Sequence, residues 1–413
     1  MARTLRVLLL VESSRGSGRS LLRGIAHYAN HHGPWSFYWE PGGLEKVWPK
    51  LKTLDPDGII LRDVDKLEEV LAFGIPAVVI GHGRPEVPGL VNIVTDSEAV
   101  GRMAAEHLLS CGFKHFAYCG SSERGAAEAP WSASRRRSFS ARVERAGFTV
   151  ANFSLAASAH GSSWRRERAA MARWLRALTK PIGLMACNDD RAGQLVEACK
   201  MGDISVPNDA GIIGVDDDDV VCGLSNPPLS SIALTFERSG YEGAAALDCL
   251  MRGIGSVSQR ILVRATHVVA RRSTDVVAVE DANLAKAMRF IRAHSPRENP
   301  SVEEVARQSG VSRRLLEQRF RGEFGCSILH EIRRVRTDKI AQLLMETQLP
   351  VREIADALGF ADAQHFARYF RSARKISPLA YRRTLGGHHA PEPPAQIGDS
   401  FAQSGVVSPM PEP

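Results

Sequence analysis

The first 275 residues alternate short apolar runs with segments of helical periodicity. The runs are apolar on successive positions, which is typical of strands that are buried on both faces of a parallel sheet. The predicted strands, in chain order, are LRVLLLV, DGIIL, IPAVVIG, NIVTD, HFAYCG, IGLMACND, AGIIGVDD and SSIAL. The predicted helices cover residues 20–30, 97–109, 192–199 and 238–251. This alternation predicts an α/β architecture with helices on both sides of parallel sheets.

The strand pattern stops after RRSTD (residues 271–275), and only helical patterns continue to about Leu385. A chain of 413 residues is expected to fold as two or three domains. We therefore predict an α/β domain at 1–276, a linker at 277–283 and an all-α domain at 284–385. The last segment, 386–413, is rich in Pro, Gly and Ser and is predicted to be a disordered tail.

The helical region contains one motif twice. VEEVARQSGV, which starts at Val302, and VREIADALGF, which starts at Val351, match at an offset of 49, with their apolar positions, one Ala and one Gly in register. Each copy predicts a short helix, a Gly of positive φ at the turn and a second helix, for which Ser312 and Asp362 are the expected N-caps. This is the helix-turn-helix pattern, in which the second helix enters the major groove of DNA.

Both second helices carry side chains that hydrogen-bond to base edges and phosphates. Leu315, Leu316 and Phe320 are expected to form the apolar seam of the first of them. A helical hairpin with a solvated basic face is the alternative for one copy alone, whereas two copies in one region favour DNA binding. The candidate DNA-binding residues are Arg313, Arg314, Glu317, Gln318 and Arg321 in the first helix, and Gln364, His365, Arg368 and Arg371 in the second.

The basic charge of the chain is concentrated around this repeat. The net charge of the whole chain is +7, whereas the segment from Leu284 to Leu385 holds 20 Lys and Arg against 11 Asp and Glu, a balance of +9. Everything else is near neutral, at −2. A basic region on a near-neutral body is the pattern expected for contact with DNA phosphates. Segment 327–349, between the copies, predicts a helix of roughly 30 Å, close to the spacing of successive major-groove faces.

The region from Leu284 to Leu385 resembles an AraC/XylS-type DNA-binding domain. The stretch GFADAQHFARYFRSARKISPLAYRR, which starts at Gly359, is similar to the signature of that family almost throughout. The resemblance implies a unit of seven helices with two helix-turn-helices. By position it implies base contacts from Arg314, Glu317 and Gln318 in the first reading helix, and from Ala363, Gln364 and Arg368 in the second. Ala363 has no hydrogen-bonding group, so it is expected to read at most a thymine methyl.

The stretch SSRGSGRSLLRG, which follows the first predicted strand, has the appearance of a phosphate-binding loop. A dinucleotide-binding loop needs three glycines at set positions, but after Gly16 and Gly18 the third position holds Leu21. A P-loop needs Gly-Lys-Ser/Thr, and this stretch has no Lys. Nucleotide binding is therefore disfavoured, and no cofactor is expected.

Polar groups recur where the predicted strands end, which is where ligands bind in open α/β sheets. Asn188 and Asp189 follow one strand, Asp216 follows the next, and WSASRRRSF supplies an arginine. Carboxylates and amides accept hydrogen bonds from several hydroxyls and Arg donates in a planar fork, as a sugar cleft requires. N-capping of the helices that follow is the alternative role for Asp189 and Asp216.

The stretches ACNDDRAG and IIGVDDDD resemble the periplasmic-binding-protein-like sensor of the LacI family. More narrowly, SRGSGRSLLRGIAHYANHHGPW, DGII and RRSTD are similar to xylose-operon regulators, which join such a sensor to a C-terminal AraC-type domain. Ser17 stands where those regulators tend to have an aromatic residue. A sugar-like ligand is therefore better supported than xylose itself. The resemblance implies ligand contacts from Asp189, Asp216, Arg135, Asn188, Arg62 and Arg15.

Several classes of protein are disfavoured. Seven scattered cysteines, odd in number and without a C-x-x-C pair, argue against a metal site and a disulfide framework. No apolar run is long enough to span a bilayer, and Glu12 follows the first run where a signal peptide would have small residues. An enzyme would need a nucleophile with its base or a metal cluster, and neither occurs at recognisable spacing. We expect a cytoplasmic protein without a membrane partner that is not an enzyme.

Together these patterns predict a two-lobed α/β sensor followed by an all-α domain with two helix-turn-helices. The predicted function is sequence-specific regulation of transcription under the control of a small sugar, xylose or a relative, as an activator of sugar catabolism genes. The expected partners are double-stranded operator DNA, the sugar and a second copy in a homodimer, with RNA polymerase as a further candidate. The alternative is a sugar-binding α/β protein or enzyme whose basic domain binds DNA only non-specifically.

Overall fold

Within the described residues, two six-stranded sheets form the α/β part of the protein. The computed structural model describes residues 3–40, 54–62, 67–81, 86–121, 128–153, 164–254 and 258–386. The predicted disordered tail therefore lies outside the described residues, except for Gly386, which ends the last helix. The predicted architecture, α/β followed by all-α, is confirmed.

The first sheet is entirely parallel, in the order β11-β5-β4-β3-β1-β2. Its strands are β1 (Leu5–Leu10), β2 (Trp35–Trp39), β3 (Gly58–Arg62), β4 (Ala77–Ile80), β5 (Val91–Thr95) and β11 (Gln259–Val263). Val7 and Leu9 of β1 pack into the core on one face, and Leu8 and Leu10 pack into the core on the other. Burial on both faces explains why this strand is apolar at every one of these positions.

The second sheet has the order β12-β10-β9-β8-β6-β7, with one antiparallel pair, β10 and β12. Its strands are β6 (His115–Cys119), β7 (Val150–Phe153), β8 (Ile182–Ala186), β9 (Ala210–Val215), β10 (Ser230–Leu234) and β12 (Ala265–Val269). The register of the antiparallel pair shifts between Ala233 and Leu234. The four strands that the sequence pattern missed, β2, β7, β11 and β12, are the four edge strands of the two sheets.

Helices cover both faces of each sheet. They are α1 (Gly16–His32), α2 (Leu67–Leu71), α3 (Ser97–Ser110), α4 (Pro130–Glu144), α5 (Trp164–Ala177), α6 (Asp189–Met201), α7 (Asp219–Leu224) and α8 (Phe236–Met251). Helices α1 and α8 pack on one face of the first sheet, and α2 packs on the other. Helices α3 and α4 pack on one face of the second sheet, and α5 and α6 pack on the other. Each sheet with its helices forms one lobe.

The chain crosses between the lobes three times, at residues 95–97, 234–236 and 263–265. The crossings are hydrogen-bonded to one another. The Asp96 amide donates to the Val263 carbonyl at 2.9 Å, and the Thr235 amide donates to the Arg264 carbonyl at 3.0 Å. The Arg264 amide donates to Thr235 Oγ1 at 2.8 Å. The three crossings therefore form one hinge.

Seven helices form the carboxyl-terminal domain: α9 (Ala282–His294), α10 (Val302–Ser309), α11 (Arg313–Phe324), α12 (Ile328–Glu346), α13 (Val351–Ala357), α14 (Ala363–Arg374) and α15 (Pro378–Leu385). Two cores share the long helix α12. Its first turns pack with α9, α10 and α11, and its last turns pack with α13, α14 and α15.

Both predicted turns form as expected. Gly310 and Gly359 have φ of +79° and +68°, a conformation that a side chain would strain. Ser312 accepts a hydrogen bond from the Leu315 amide, and Asp362 accepts one from the His365 amide. The match between the copies continues further, because Ser327 and Ser377 cap the helices that follow, α12 and α15. Each repeat therefore includes the start of a third helix.

The segment predicted as a linker, 277–283, is packed between the sensor and the carboxyl-terminal domain. Val277 and Val279 contact the core that includes α9 and α10. The Ala278 amide donates to the Cys111 carbonyl at 2.8 Å, and Ala278 also packs on the core of the second lobe. Asp281 caps α9 and accepts a hydrogen bond from Arg319 of α11 at 3.1 Å. This segment holds the two parts of the protein together.

Candidate ligand cleft and DNA-binding face

A cleft of about 400 Å³ lies between the two lobes, at the carboxyl ends of the strands. Its size is within the usual range of small-molecule sites. Five of the six residues that the sequence nominated as ligand contacts line it: Arg15, Arg62, Arg135, Asn188 and Asp216. Arg62 ends β3 and Asp216 follows β9, so the strand-end rule leads to both lobes of the same cleft.

Arg135 and Asp216 form the polar centre of the second-lobe wall. Arg135 is 3% exposed, and its Nη2 lies 3.7 Å from Asp216 Oδ1. The other terminal nitrogen donates to the Cys187 carbonyl, while Nε has no hydrogen-bond partner among the described residues. A buried guanidinium with an unused donor favours a ligand that supplies an oxygen acceptor.

Asp216 is held in an unusual backbone conformation. Its φ is +103° and that of Asp217 is +52°, both in a region that non-glycine residues rarely adopt. The turn is fixed from below, because the Asp216 amide donates to the Ile232 carbonyl at 3.0 Å and the Asp217 amide donates to Ser231 Oγ at 3.0 Å. Backbone strain of this kind is found at binding sites, where the surroundings impose it.

Asp189 is not in the cleft wall, in contrast to the expectation from sequence. Its side chain is buried behind the wall and accepts hydrogen bonds from the Asp218 amide at 2.8 Å and from Ser231 Oγ at 2.6 Å. Burial and the nearby Asp216 carboxylate raise the pKa of Asp189 well above its usual range. Asp189 therefore positions the turn that carries Asp216.

The predicted capping role also falls on neighbouring residues. Asn188 caps α6 by accepting from the Arg191 amide, so Asp189 is the first residue of that helix rather than its cap. Asp218 caps α7 by accepting from the Val220 and Val221 amides, so Asp216 does not cap it. Both shifts arise because the helices begin one and two residues away from the positions that the alternative required.

The glycine-containing stretch at the start of α1 does bind an anionic group at the N-terminus of the helix. The acceptor is a carboxylate of the protein itself, because the Gly16 amide donates to Asp218 Oδ2 at 2.5 Å. Arg19 lies 3.2 Å from Asp218 Oδ1 in the same contact. Arg15 adds a second contact between the lobes, with its Nε 3.0 Å from Asp190 Oδ2. The resemblance to a phosphate loop thus reflects a contact that joins the two lobes, next to the cleft that Arg15 lines.

Two aromatic residues in the cleft wall escaped the sequence argument. Trp131 lies on α4, with the Arg135 guanidinium 4.8 Å from its ring centroid, and Phe236 begins α8 directly after the hinge. Aromatic faces contact the C–H face of a sugar ring, while the carboxylates and arginines serve its hydroxyls. Ser17, at the position where related regulators tend to have an aromatic, also lines the cleft. Nothing in the spacing of these aromatics along the chain identified them.

Among the described residues, charges of both signs line the cleft in equal number. Arg260 pairs with Glu86 at 2.9 Å, and Asp96 is occupied in capping α3 through the Ala99 amide at 3.0 Å. The charged lining residues are Arg15, Arg62, Arg135 and Arg260, with Glu86, Asp96, Glu98 and Asp216. A balanced wall of donors and acceptors suits a neutral polyhydroxy ligand better than a polyanion.

The reading helices α11 and α14 present nearly all of the nominated DNA-binding residues to solvent. In α11, Arg313, Arg314, Glu317, Gln318 and Arg321 are exposed. In α14, Gln364, His365, Arg368 and Arg371 are exposed, and Ala363 is half-buried at the first position of the helix. Leu316 and Phe320, and Phe366 and Phe370, are fully buried beneath them.

Two details of α11 differ from the sequence argument. Leu315 is 36% exposed and lies outside the apolar seam in which it was expected, because the buried positions of this helix are Leu316 and Phe320. Arg313 is engaged in ion pairs with Glu303 and, at 3.0 Å, with Glu317. Base contact by Arg313 or Glu317 would require these pairs to open, whereas Arg314 and Gln318 take no part in them.

A buried side chain of α12 links the two helix-turn-helices of the helical domain. Arg336 of α12 is buried and donates to the Glu298 and Leu358 carbonyls, the latter at 2.6 Å. Its guanidinium stacks 4.3 Å from the centroid of Phe360. One side chain therefore ties the loop before the first helix-turn-helix to the turn inside the second, and fixes the relative placement of α11 and α14.

The described part of the chain has neither a membrane-spanning helix nor a cluster of metal-binding side chains. In the described part of the chain, no helix is both long and apolar enough to cross a membrane. Over the same residues, no group of three or more His, Cys, Asp or Glu side chains is arranged to hold a metal ion. All seven cysteines are free, and five of them are buried.

Two family models match the chain, and both agree with the fold. A periplasmic binding protein-like domain matches residues 105–274, and a helix-turn-helix domain matches residues 305–384. The first match covers much of the sensor, and the second begins inside the first copy of the repeat and includes the whole of the second copy.

Relatives of known role extend over nearly the whole chain. The xylose operon regulatory protein of Escherichia coli strain K12 is 30% identical over 383 residues, which are 91% of this chain and 96% of the relative. That of Haemophilus influenzae is 27% identical over 386 residues, 91% of this chain and 98% of the relative.

A solved structure described as that of the xylose-binding transcription activator XylR aligns with 93% of this chain and 99% of its own, with a TM-score of 0.58 and 28% identity. Sensor and reading helices are therefore joined in the same order as in these relatives. The chain belongs to the family of the xylose operon regulatory proteins, DNA-binding transcription regulators in which a periplasmic-binding-protein-like domain precedes a helix-turn-helix domain.

Proposed function

We propose that the protein binds a small sugar between its lobes and, in response, changes its interaction with an operator. D-Xylose is the first candidate, and related pentoses come next. The observation that carries the proposal is the cleft itself, in which the buried Arg135 and the strained Asp216 face a 400 Å³ space beside Trp131. Hydrogen-bond donors, acceptors and an aromatic face in one cleft match the surface of a monosaccharide.

The DNA-binding half of the proposal is supported by the exposed faces of α11 and α14. Arg314, Gln318, Gln364 and Arg368 can pair with base edges, and Arg321 and Arg371 add positive charge for phosphates. One protein thus has two reading helices for two successive segments of the major groove.

The choice of sugar and the direction of regulation rest on relatives. Two relatives are named for a xylose operon, and a similar solved structure is described as that of a xylose-binding activator. We therefore propose activation of sugar catabolism genes by a cytoplasmic homodimer, with operator DNA and RNA polymerase as its partners. Ser17 stands where related regulators tend to have an aromatic residue, and in this protein the aromatic Trp131 lines the cleft from the opposite lobe. This difference makes a relative of xylose the second candidate.

A panel of monosaccharides tests the sugar. Thermal unfolding of the full chain would be followed with D-xylose, L-arabinose, D-ribose and D-glucose, and operator affinity would be measured with and without each sugar. A ligand at 100 times its Kd should stabilise the protein by about 2.7 kcal/mol. If no sugar of a broad panel changed either unfolding or operator affinity, the assignment of the sensor would be wrong.

The same panel separates regulation from enzymatic activity. The proposal includes no chemical step, so a bound sugar should be recovered unchanged after long incubation with the protein, as checked by mass spectrometry. Turnover of the sugar would favour the alternative of an enzyme whose basic domain binds DNA only non-specifically. Equal affinity for operator and for random DNA would favour the same alternative.

A further inference from the structure

The segment Arg264–His267 joins the hinge to the DNA-binding domain. Arg264 lies in one of the three crossings between the lobes and is bonded to Thr235 of another. Two residues later, the Thr266 carbonyl accepts a hydrogen bond from the Tyr381 hydroxyl of α15 at 3.2 Å. A change of hinge angle therefore acts next to a direct contact with the second helix-turn-helix.

His267 makes the neighbouring contact. Its Nδ1 lies 3.0 Å from the Thr266 hydroxyl, and its Nε2 lies 3.5 Å from Glu346 Oε1. Glu346 is the last residue of α12 and precedes the second helix-turn-helix. Although burial opposes ionisation, the nearby His267 ring and a hydrogen bond from Gln342 lower the pKa of Glu346, so its carboxylate is charged at neutral pH. The end of α12 is thus fixed to the strand that leaves the hinge.

Helix α15 touches both lobes. Tyr381 contacts β12 of the second lobe, and two residues later the Arg383 carbonyl accepts from Arg238 at 3.3 Å. Arg238 belongs to α8, which packs on the sheet of the first lobe. A motion of one lobe relative to the other must therefore alter at least one of these contacts.

The first helix-turn-helix is attached differently. Lys114 pairs with Glu323 of α11 at 2.8 Å, and Arg292 of α9 donates to the Ser110 carbonyl at 3.2 Å. Lys114 and Ser110 belong to the second lobe, at the end of α3 that is far from the hinge crossing at 95–97. Among the described residues, the hydrogen bonds and ion pairs that join the first helix-turn-helix to the sensor involve only the second lobe and the linker.

The cleft connects to the same strand. The turn of Asp216 and Asp217 rests on β10 through Ile232 and Ser231, and Asp217 pairs with Arg271 at 2.8 Å. Strand β10 pairs with β12, in a register that places Ala233 opposite His267. A ligand that moves Asp216 therefore displaces a strand whose neighbour holds α12 and α15.

We propose that the second helix-turn-helix receives the ligand signal, because it contacts both the strand that leaves the hinge, at Thr266 and His267, and the first lobe, at Arg238. The first helix-turn-helix, whose described hydrogen bonds and ion pairs reach only the second lobe and the linker, is the pivot about which the pair of reading helices turns. This inference rests on the proposed function and specifies how the cleft regulates DNA binding. Allosteric coupling requires that the ligand favour one arrangement of such contacts over another. The contacts of Tyr381 and Glu346 are those that differ between the arrangements.

The test compares two coupling variants with one matched control in the full chain. Tyr381→Phe removes the hydroxyl but keeps the ring in its core, and Glu346→Gln removes the charge at an exposed position. Lys114→Gln breaks the interdomain ion pair on the side away from the hinge. For each, operator Kd is measured with and without the panel sugar of largest thermal shift, D-xylose in our proposal, together with the Kd of the sugar itself.

We expect both coupling variants to reduce the sugar-dependent ratio of operator Kd values by about fivefold, the factor that one hydrogen bond typically supplies. The sugar Kd should stay within about twofold of the wild-type value, and Lys114→Gln should keep the wild-type ratio. Wild-type ratios in both coupling variants, or an equal loss in Lys114→Gln, would overturn the inference alone. A wild-type protein without any sugar-dependent ratio would instead overturn the proposed function.

Discussion

At the scale of single residues, Asp189 and Asp216 have different roles, although both follow a strand and look equivalent in the sequence. Asp216 faces the cleft, whereas Asp189 accepts from the Asp218 amide and Ser231 Oγ behind it. Asp189→Ala should cost about 2 kcal/mol of unfolding free energy, because it leaves two buried donors without acceptors. Asp216→Asn should leave stability nearly unchanged and weaken sugar binding by roughly tenfold or more, because a charged acceptor is lost.

Urea denaturation and sugar titration, performed on both variants, separate the two tasks. Operator binding without sugar should stay at the wild-type level in Asp216→Asn, which serves as the control for folding. Equal stability losses in the two variants would show that Asp216 also supports the turn, and an intact sugar affinity in Asp216→Asn would remove it from the site.

His107 lies at the interface between sensor and DNA-binding domain, and because of it we expect the stability of the folded protein to depend on pH. Burial, together with Arg292 and Arg334, lowers its pKa from 6.5 to about 3. Between these values the unfolded chain takes up a proton that the folded protein does not, so the stability from neutral His107 is complete above pH 6.5 and declines as the pH falls. Since His107 lines a cavity and is only half-buried, solvent reduces the effect to about 1 kcal/mol between pH 6.5 and 5.

The measurement is chemical denaturation at these two pH values, for the wild type and for His107→Gln, which retains a partner for Thr274 Oγ1. The variant should lose about 1 kcal/mol less than the wild type on acidification. Identical losses in the two proteins would mean that His107 is protonated in the folded state as readily as in the unfolded chain.

The limits of sequence reasoning at this scale are visible in the cleft. A polar residue at a strand end predicts the edge of the sheet on which it lies, and this led to Arg62, Asn188 and Asp216. It does not predict the direction in which the side chain points. For that reason the sequence did not reveal that Asp189 points inward, behind the cleft wall. Trp131 could not be found, because helix placement rather than periodicity brings it to the cleft.

At the scale of secondary-structure elements, the reading helix α14 carries the clearest prediction for DNA. Arg368 is exposed, and its guanidinium suits a bidentate contact with guanine. Arg368→Ala should weaken specific binding by about 1 to 3 kcal/mol while leaving sugar affinity intact. Arg145→Ala removes the same charge from an exposed position in the second lobe and is the matched control.

Fluorescence anisotropy with operator and scrambled DNA measures both variants. Arg368→Ala should lose affinity for the operator and little for the scrambled sequence. An equal loss of affinity for both DNAs would identify Arg368 as a phosphate contact. If Arg145→Ala lost as much affinity as Arg368→Ala, the effect would be due to the net charge of the protein and not to a specific contact.

The elements that the pattern missed share one physical property. Strands β2, β7, β11 and β12 each lie at an edge of the sheets that the structure describes, where one side of the strand has no described neighbour and burial is incomplete. In β2, for example, Phe37, Tyr38 and Trp39 are each more than a third exposed. A search for continuous apolar runs detects strands covered on both faces, so it found the central strands and passed over the edges. The helix-turn-helices were predicted in detail because their caps, turns and seams are local.

At the scale of the whole molecule, the fixed pairing of α11 and α14 predicts the layout of the operator. The two helices are joined by α12 and locked by Arg336, so they should read two segments about one turn of DNA apart. Insertion of about 5 base pairs between those segments turns one of them to the opposite side of the duplex and should abolish specific binding, whereas insertion of about 10 should restore part of it. Gel-shift assays with the three operators measure this, and unaltered binding after the shorter insertion would contradict a rigid pair.

The length of α12 has a mechanical consequence. Its 19 residues span roughly 28 Å from the anchored first helix-turn-helix to the end near the hinge. For a lever of that length, a rotation of about 10° at the anchored end carries the far end through about 5 Å, comparable to one helical turn of protein. Closure of the cleft by a small angle would thus displace the reading helix α14 from its segment of the major groove while α11 stays in place.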